Sequence, residues 1–165
     1  MLINRYSHFE TELGTMVAAA SEQKLVGLYF LDHVNPFKLG KLGEQVPSGE
    51  DYFLVEVSKQ VEEFFTGKRK IFGLPIHPNG TNFQQEVWKA VSRVPYGETV
   101  TYLDLALILG NKNLVRAVGG AVGNNPISII VPCHRVIGHD GNLVGYSGGL
   151  ENKKFLLDLE HSFKF

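Results

Sequence analysis

The sequence has a single cysteine, Cys133, among its 165 residues. One thiol cannot form a disulfide within the chain, and a zinc site built from several cysteines is excluded. The sequence also lacks any apolar run near the roughly 18 residues that a membrane-spanning helix needs. Its first residues contain no long apolar segment with a small-residue cleavage site, so we expect no secretory signal. A lone thiol without such a signal favours a reducing, cytoplasmic location.

The chain also lacks an excess of charge of either sign. Lys and Arg number 16 and Asp and Glu number 17, which gives a formal net charge of −1. Proteins that bind nucleic acid through bulk charge carry a clear basic excess. Any binding of nucleic acid by this chain must therefore depend on a few residues at specific positions. The hydrophobic fraction of 44% and the charged fraction of 20% are typical of a globular chain.

The first part of the chain has the pattern of a small sheet followed by a helix. Strands are predicted over residues 2–8, 15–20 and 24–31. Residues 32–50 are rich in turn-forming residues and are predicted to be loop. Apolar residues spaced as on one helix face predict a helix over 52–65, which Gly67 ends.

The second part of the chain is predicted to be mainly helical. Thr81 and Gln84 have the spacing of a capping box and predict a helix that ends before Pro95. A second helix after Thr101 ends at Gly110, and a third follows from residue 112 or 113 to about residue 123. Two short helices joined by a glycine turn are typical of a helix-turn-helix, although plain helical hairpins share the pattern.

A glycine- and proline-rich segment over residues 73–80 predicts the boundary between two modules. We predict an α/β N-terminal module with a small antiparallel sheet over residues 1–74, a linker over 75–80 and a mainly α module over 81–165. Within the last module, the apolar run 127–131 is predicted to be a buried strand, and 152–159 a final helix.

The predicted third helix is unusual because it contains Gly119, Gly120 and Gly123. Each glycine destabilises a helix interior by about 1 kcal/mol relative to alanine. Small residues allow either close packing of another helix or the close approach of another molecule to the backbone. The sequence leaves both interpretations open.

Cys133 lies in a segment with the features of a reactive thiol. A lone cysteine is often only a small buried apolar residue. Here Pro132 restricts the backbone before it, and His134 and Arg135 follow it. A nearby base or positive charge lowers the pKa of a thiol and supplies the nucleophilic thiolate. Near the end of the last helix, Glu160 is either a solvated terminal residue or a carboxylate that orients His134.

Eight segments in this order resemble the O6-alkylguanine-DNA alkyltransferases, DNA-repair proteins that move an alkyl group from guanine onto their own cysteine. These segments are Thr81–Gln84, Val87–Trp88, Val94–Gly97, Thr101–Ala106, Arg116–Gly119, Asn125–Pro126, Pro132–Val136 and Gly145–Gly149. The resemblance covers residues 81–160, and the first 75 residues match more loosely. It implies a ribonuclease-H-like N-terminal module, and a single-chain type without an adaptive-response domain.

The resemblance also implies a role for each matching residue. Cys133 is the acceptor of the alkyl group, His134 is its base through a bound water, and Glu160 orients His134. Asn125 is the hinge that joins the recognition helix to the active-site segment. Tyr102 donates a hydrogen bond to guanine N3 and turns the 3′ phosphate.

The remaining implied roles concern DNA and the flipped base. Arg116 fills the space that the flipped base leaves. The small residues on the same helix approach the minor groove, and they are Ala117, Gly119, Gly120 and Gly123. The backbone of Cys133 and Val136 receives the exocyclic amine of guanine, and the segment with Tyr146 and Ser147 supplies donors to O6.

The implied activity is direct reversal of damage in double-stranded DNA, with one turnover per molecule and without a cofactor or metal. The implied protein is a cytoplasmic monomer, and O4-alkylthymine is left open as a second substrate. Asn124 and Lys112 depart from a basic residue and a proline usual in the family, which affects contact with DNA rather than the chemistry. Two alternatives are a non-catalytic damage sensor, which would lack the cysteine, and a helix-turn-helix regulator, which would need polar base-reading residues that 118–123 lack.

Overall fold

The structure is a computed structural model that describes residues 4–164, so residues 2 and 3 of the first predicted strand lie outside the description. The chain divides into two compact units, Met1–Pro78 and Asn79–Phe165. Within residues 4–164, no helix combines the length and the hydropathy that crossing a membrane requires.

The N-terminal unit is built on a sheet of four strands. These are β1 (Arg5–Thr11), β2 (Gly14–Ser21), β3 (Lys24–Phe30) and β4 (Glu44–Gln45), in the spatial order β3-β2-β1-β4. The three long strands are antiparallel, as predicted. The short β4 pairs parallel to β1, so the sheet is mixed. A loop throughout residues 32–50 was therefore a wrong prediction, because a two-residue strand is too short to show an alternating pattern.

Two helices complete this unit, the single turn α1 (Pro36–Leu39) and the longer α2 (Tyr52–Phe65). Helix α2 has the predicted bounds and packs against β1 and β2. The Asp51 side chain caps it by accepting a hydrogen bond from the Leu54 amide at 2.9 Å, and the same carboxylate pairs with Arg5 of β1. This cap fixes where the helix starts and ties that end to the sheet.

Part of the segment predicted as a linker is paired with β3. The Leu25 amide donates to the Pro75 carbonyl at 2.9 Å, and the His77 amide donates to the Leu25 carbonyl at 2.8 Å. Ile76 thereby forms a parallel bridge with Leu25.

The described residues of the second unit form four helices and one pair of short parallel strands. The helices are α3 (Asn82–Ser92), α4 (Tyr102–Ile108), α5 (Val115–Gly123) and α6 (Leu150–Ser162), and the strands are β5 (Val100–Thr101) and β6 (Val136–Ile137). Capping boxes start α3 at Thr81 and α4 at Thr101. A single 3-10 turn over Lys112–Leu114 leads into α5, and α5 packs against both α3 and α4. The predicted pair of helices joined by a glycine turn is confirmed.

The predicted strand over residues 127–131 is wrong, since this segment is a buried turn. The Val131 amide donates to the Ile127 carbonyl at 3.1 Å, and Ile129 has a φ of 71°. A positive φ is rare for a β-branched residue and indicates a conformation that the surroundings impose. Short apolar runs indicate burial and do not distinguish a strand from a buried turn. The sequence analysis missed the β5–β6 pair. In sequence, β5 precedes residues 127–131 and β6 follows them.

Candidate active site

Cys133 begins a single 3-10 turn, Cys133–Arg135, that leads directly into β6. All three residues of the turn are buried, and Cys133 is 3% exposed. The Cys133 amide donates to the Val131 carbonyl at 2.8 Å. The thiol is therefore held on a backbone that is fixed by the buried turn before it and by β6 after it.

His134 and Glu160 form a fully buried pair. His134 Nε2 lies 2.8 Å from Glu160 Oε1, and both side chains are 0% exposed. An ionised carboxylate only accepts hydrogen bonds, so Nε2 carries the proton and Nδ1 is the nitrogen that can accept one. The prediction that α6 ends at residue 159 was short by three residues, and Glu160 lies within the last turn of the helix. The structure thus brings His134 and Glu160 together.

Arg135 shares the same carboxylate. Its Nη2 donates to Glu160 Oε1 at 2.6 Å, and its Nη1 donates to the Val94 carbonyl at 2.7 Å. The Gly97 amide adds a longer hydrogen bond, 3.2 Å, to Glu160 Oε2. Burial by itself raises the pKa of Glu160, but the hydrogen bonds from His134 and Arg135 outweigh it and lower the pKa to about 2. Glu160 is therefore an anion at neutral pH.

The pKa of His134 is lowered from its ordinary value. Burial is the main cause, and the hydrogen bond and charge of Glu160 oppose it, while the charges of Arg135 and Lys153 add to the lowering. The imidazole is consequently neutral at pH 7, which leaves it able to act as a base.

The thiol of Cys133 does not have the lowered pKa that the sequence analysis expects. Burial raises the pKa of Cys133 to about 12, although a hydrogen bond with Asn125 and the charge of Lys153 oppose this. The physical reason is that a buried thiolate loses its hydration, while the neutral His134 supplies no positive charge. The resting site therefore holds a protonated thiol next to a neutral imidazole.

Asn125 connects the end of α5 with the segment that carries Cys133. Its Nδ2 donates to the carbonyls of Val131 at 2.9 Å and Ile127 at 3.2 Å, and its Oδ1 accepts from the Ile127 amide at 3.0 Å. One buried side chain thus supplies hydrogen bonds that a neighbouring strand would otherwise provide. This contact makes the turn before Cys133 dependent on the position of α5.

A cavity of about 410 Å³ lies between α4, α5 and the segment that follows β6. Its lining comprises Tyr102, Leu103, Val115, Gly119, Gly138, His139 and Val144. The Tyr102 hydroxyl donates to the Val144 carbonyl at 3.0 Å. Burial raises the pKa of Tyr102, and the charge of Cys133 raises it further.

The other residues predicted to contact the base lie around Cys133 or in the following loop. Val136 is fully buried at the start of β6. The Tyr146 hydroxyl is buried, and burial raises the pKa of this phenol, as does the charge of Cys133. Ser147 is exposed. Tyr146 therefore faces the cluster around Cys133, whereas Ser147 remains open to solvent.

Lys153 is a residue of this region that the sequence analysis missed. It is 0% exposed, and its Nζ donates to the carbonyls of Val136, Val144 at 3.1 Å and Gly145 at 3.3 Å. Burial lowers the pKa of Lys153 to about 8, and the charge of Cys133 opposes the lowering. The signal in the sequence was its spacing, because residues 153, 156 and 160 lie on one face of a helix.

The residues predicted to contact DNA lie on α5, outside the buried cluster. Arg116, Ala117, Gly120 and Gly123 are exposed, and Gly119 is partly exposed. A Cβ added at any of the three glycines would meet no atom within 4 Å in the part of the chain that the structure describes. Close helix packing therefore does not explain these glycines. Of the two interpretations that the sequence left open, the structure favours the approach of another molecule to the backbone.

Comparison with known proteins gives two family models that together cover most of the chain. The model described as 6-O-methylguanine DNA methyltransferase, ribonuclease-like domain, matches residues 4–78, and the one described as 6-O-methylguanine DNA methyltransferase, DNA binding domain, matches residues 82–162. The first match confirms the predicted ribonuclease-like N-terminal module.

Relatives of similar length match along the whole chain. A methylated-DNA--protein-cysteine methyltransferase of Methanosarcina barkeri is 43% identical over 95% of this chain and 97% of its own length. A constitutive one of Bacillus subtilis is 42% identical, with 96% of each chain covered. The crystal structure of the Mycobacterium tuberculosis O6-methylguanine methyltransferase aligns with a TM-score of 0.86 at 37% identity, covering 97% of this chain and 94% of that one. These matches and the two family models show that this chain belongs to the 6-O-methylguanine DNA methyltransferase family.

Proposed function

We propose that this protein repairs O6-alkylated guanine in double-stranded DNA by moving the alkyl group onto its own Cys133. The observation that carries this proposal is the buried turn in which Cys133 directly precedes His134, whose Nε2 lies 2.8 Å from Glu160. A thiol, a base and a residue that orients the base are the parts that nucleophilic catalysis by cysteine requires. Family membership supports the proposal, since the relatives named above are methylated-DNA--protein-cysteine methyltransferases.

The resting thiol is protonated, so the reaction begins with a proton transfer. His134 Nδ1 takes the proton of Cys133 through a water molecule, and the imidazolium that forms is stabilised by the anion of Glu160. Arg135 supports this step because its hydrogen bonds keep Glu160 ionised.

Alkyl transfer then exchanges one bond for another. The Cys133 sulfur forms a bond to the alkyl carbon while the bond from that carbon to guanine O6 breaks, and its electron pair stays on the guanine. A hydrogen bond from Tyr102 to guanine N3 stabilises this developing charge. Tyr102 donates to the Val144 carbonyl in the structure, so it exchanges this acceptor for N3 when the base enters. The imidazolium of His134 supplies the proton that neutralises the guanine.

The target base must leave the duplex, because O6 lies inside the base stack. Extrusion of a base requires a few kcal/mol, and less for a damaged, weakly paired base. Arg116 is exposed on α5, where it can occupy the vacated space. The open surface at Gly119, Gly120 and Gly123 suits a minor groove about 6 Å wide, and Ala117 adds only a methyl group. The M. tuberculosis relative, which aligns with a TM-score of 0.86, was solved in complex with DNA, which supports DNA as the partner of this chain.

The flipped base enters at the cavity beside Tyr102 and Val144. We assign its recognition to Val136, Tyr146 and Ser147, which lie outside the lining of that cavity. The Val136 carbonyl accepts from Lys153 Nζ, and we assign recognition of the exocyclic amine to the backbone of the same residue. Asn125 links α5 to this site, so that a helix bound to DNA and the reactive turn are positioned together. The reaction requires no cofactor or metal, because the chain supplies the nucleophile, the base and the donor. We place the protein in the cytoplasm as a monomer.

Titration of the protein with excess methylated duplex tests this function. Intact mass should show the gain of one methyl group per protein, and peptide sequencing should locate it at Cys133. More than one methyl removed per protein, or label at another residue, would refute single transfer to Cys133. A damage sensor would bind the duplex without any gain in mass, and a helix-turn-helix regulator would bind without preference for the methylated base.

A further inference from the structure

Lys153 of α6 is a fully buried charged residue to which the mechanism above gives no role. It is the only buried lysine within residues 4–164, whereas its neighbour Lys154 is exposed. Taking an ammonium out of water is unfavourable unless hydrogen bonds and charge compensate it. Lysine is therefore rarely buried completely. The groups around the Lys153 ammonium show how its burial is compensated.

The carbonyls around the Lys153 ammonium come from two different segments. One belongs to Val136 of β6, which follows the turn that carries Cys133, and the others belong to Val144 and Gly145 of the loop beside the cavity. An ammonium has three donors and no acceptor, so three carbonyls satisfy it fully in its charged form. A neutral amine would leave one carbonyl without its donor. The contacts therefore favour a cation that ties the loop to β6.

The ammonium also lies close in the fold to the reactive thiol, because Val136, to which it donates, directly follows the Cys133–Arg135 turn. The charge of Lys153 works against the burial that raises the pKa of Cys133. Glu160 already accepts hydrogen bonds from His134 and Arg135, so its charge is compensated by those two residues. The thiolate that forms on Cys133 during the reaction is the anion left for Lys153 to compensate.

We propose that Lys153 is a positioning residue for alkyl transfer, which ties the Val144–Gly145 loop to Val136 and compensates the negative charge that forms on Cys133. The Val144 carbonyl accepts from both the Tyr102 hydroxyl and Lys153 Nζ. The position of Tyr102, which assists the leaving guanine, therefore depends on the contact between Lys153 and Val144. This inference rests on the proposed transfer to Cys133.

A pair of lysine variants tests the inference. Lys153→Met removes the charge and the donors while it keeps the length of the side chain. Lys154→Met makes the same change at an exposed neighbour, whose Nζ pairs with Asp158 at 2.7 Å. The readout is the single-turnover rate of transfer from a free O6-benzylated guanine base, measured across a pH range around neutrality. We expect Lys153→Met to react at least about tenfold more slowly, with its pH profile displaced to higher pH, and Lys154→Met to match the unchanged protein.

The outcomes separate this inference from the proposed function. A folded Lys153→Met protein with the rate and pH profile of Lys154→Met would overturn the role of Lys153. A slower rate without a displaced pH profile would indicate a purely structural role and would also overturn the proposal. If neither the unchanged protein nor Lys154→Met gained a methyl group from methylated duplex, the function itself would be wrong.

A measurement on the unchanged protein covers the case in which Lys153→Met does not fold. With ¹⁵N at the lysine side chains, a buried ammonium is recognised by slow exchange of its protons with water. We expect one slowly exchanging, protonated signal at neutral pH, with a pKa below that of ordinary lysines. A neutral amine at that pH, or fast exchange of all lysine ammonium protons, would overturn the proposed cation.

Discussion

The buried cluster around Cys133 and the exposed surface of α5 are built in opposite ways. In the cluster, His134, Arg135 and Glu160 are held by several hydrogen bonds in a site without exposure to water. On α5, a Cβ added at Gly119, Gly120 or Gly123 would meet no described atom within 4 Å, and the feature that matters is the open space above these glycines. Contacts within the chain therefore position the reactive groups of the buried cluster. The open surface of α5 has a function only when a second molecule binds to it.

Removal of the nucleophile should separate the two regions most completely. Cys133→Ala is expected to abolish the gain in mass from methylated duplex, because the chain has no second cysteine to accept the alkyl group. DNA binding should remain, since Cys133 is buried and α5 is unchanged. Intact mass and a gel-shift titration measure the two properties. Residual alkyl transfer in this variant would mean that another residue is the acceptor.

Glu160→Gln should damage the buried cluster strongly. The variant leaves the Arg135 guanidinium buried without its anion, and loss of one partner of a buried ion pair typically destabilises a protein by about 3–5 kcal/mol. Alkyl transfer should also slow, because His134 loses the charge that stabilises its protonated form. Thermal unfolding and the rate with free O6-benzylated guanine measure both effects. Stability and rate equal to those of the unchanged protein would exclude the role of Glu160.

The same carboxylate predicts how stability depends on pH. The pKa of Glu160 is about 2 in the folded protein, below its ordinary value of 4.5. Its contribution to stability is therefore fully present above pH 4.5 and is lost as the pH falls towards 2. The melting temperature of the unchanged protein should fall more steeply in this range than that of Glu160→Gln. Parallel curves for the two proteins would contradict an ionised Glu160.

Arg116→Ala should affect the DNA-binding side alone. We expect repair in duplex DNA to slow by about tenfold, which corresponds to about 1.4 kcal/mol of lost assistance to base extrusion. Transfer from free O6-benzylated guanine should keep its rate, because no base has to be extruded. The ratio of the two rates is the measurement, and an equal fall in both would show that Arg116 acts on the chemistry.

Gly120→Ala gives the smallest expected effect and compares the two regions most sharply. The new Cβ meets no described atom within 4 Å, so the helix should gain about 0.5–1 kcal/mol from alanine. Affinity for duplex DNA should fall, because the methyl group occupies space that the minor groove needs. Unfolding curves and DNA titration should therefore move in opposite directions. Unchanged affinity would remove Gly120 from the interface.

Sequence patterns predicted those elements whose signals are local. The threonine caps of α3 and α4 and the apolar face of α2 each depend on residues a few positions apart. All three helices start where predicted, although α4 ends at Ile108 rather than at Gly110. The short strands β4, β5 and β6 were missed, because each consists of two residues and exists only through pairing with a strand distant in sequence. For the same reason the buried run 127–131 was assigned to a strand instead of a turn held by Asn125.

The sequence alone determined the family and the identity of the candidate nucleophile, since the Pro132–Val136 motif and the lone cysteine are local facts of the chain. Only the tertiary structure decided the protonation states of the site. Burial raises the pKa of Cys133 and lowers that of His134, and both effects depend on water being excluded by segments far apart in sequence. The buried position of Lys153 was likewise decided by folding, because its three carbonyl partners meet only when α6 packs beside β6 and the preceding loop.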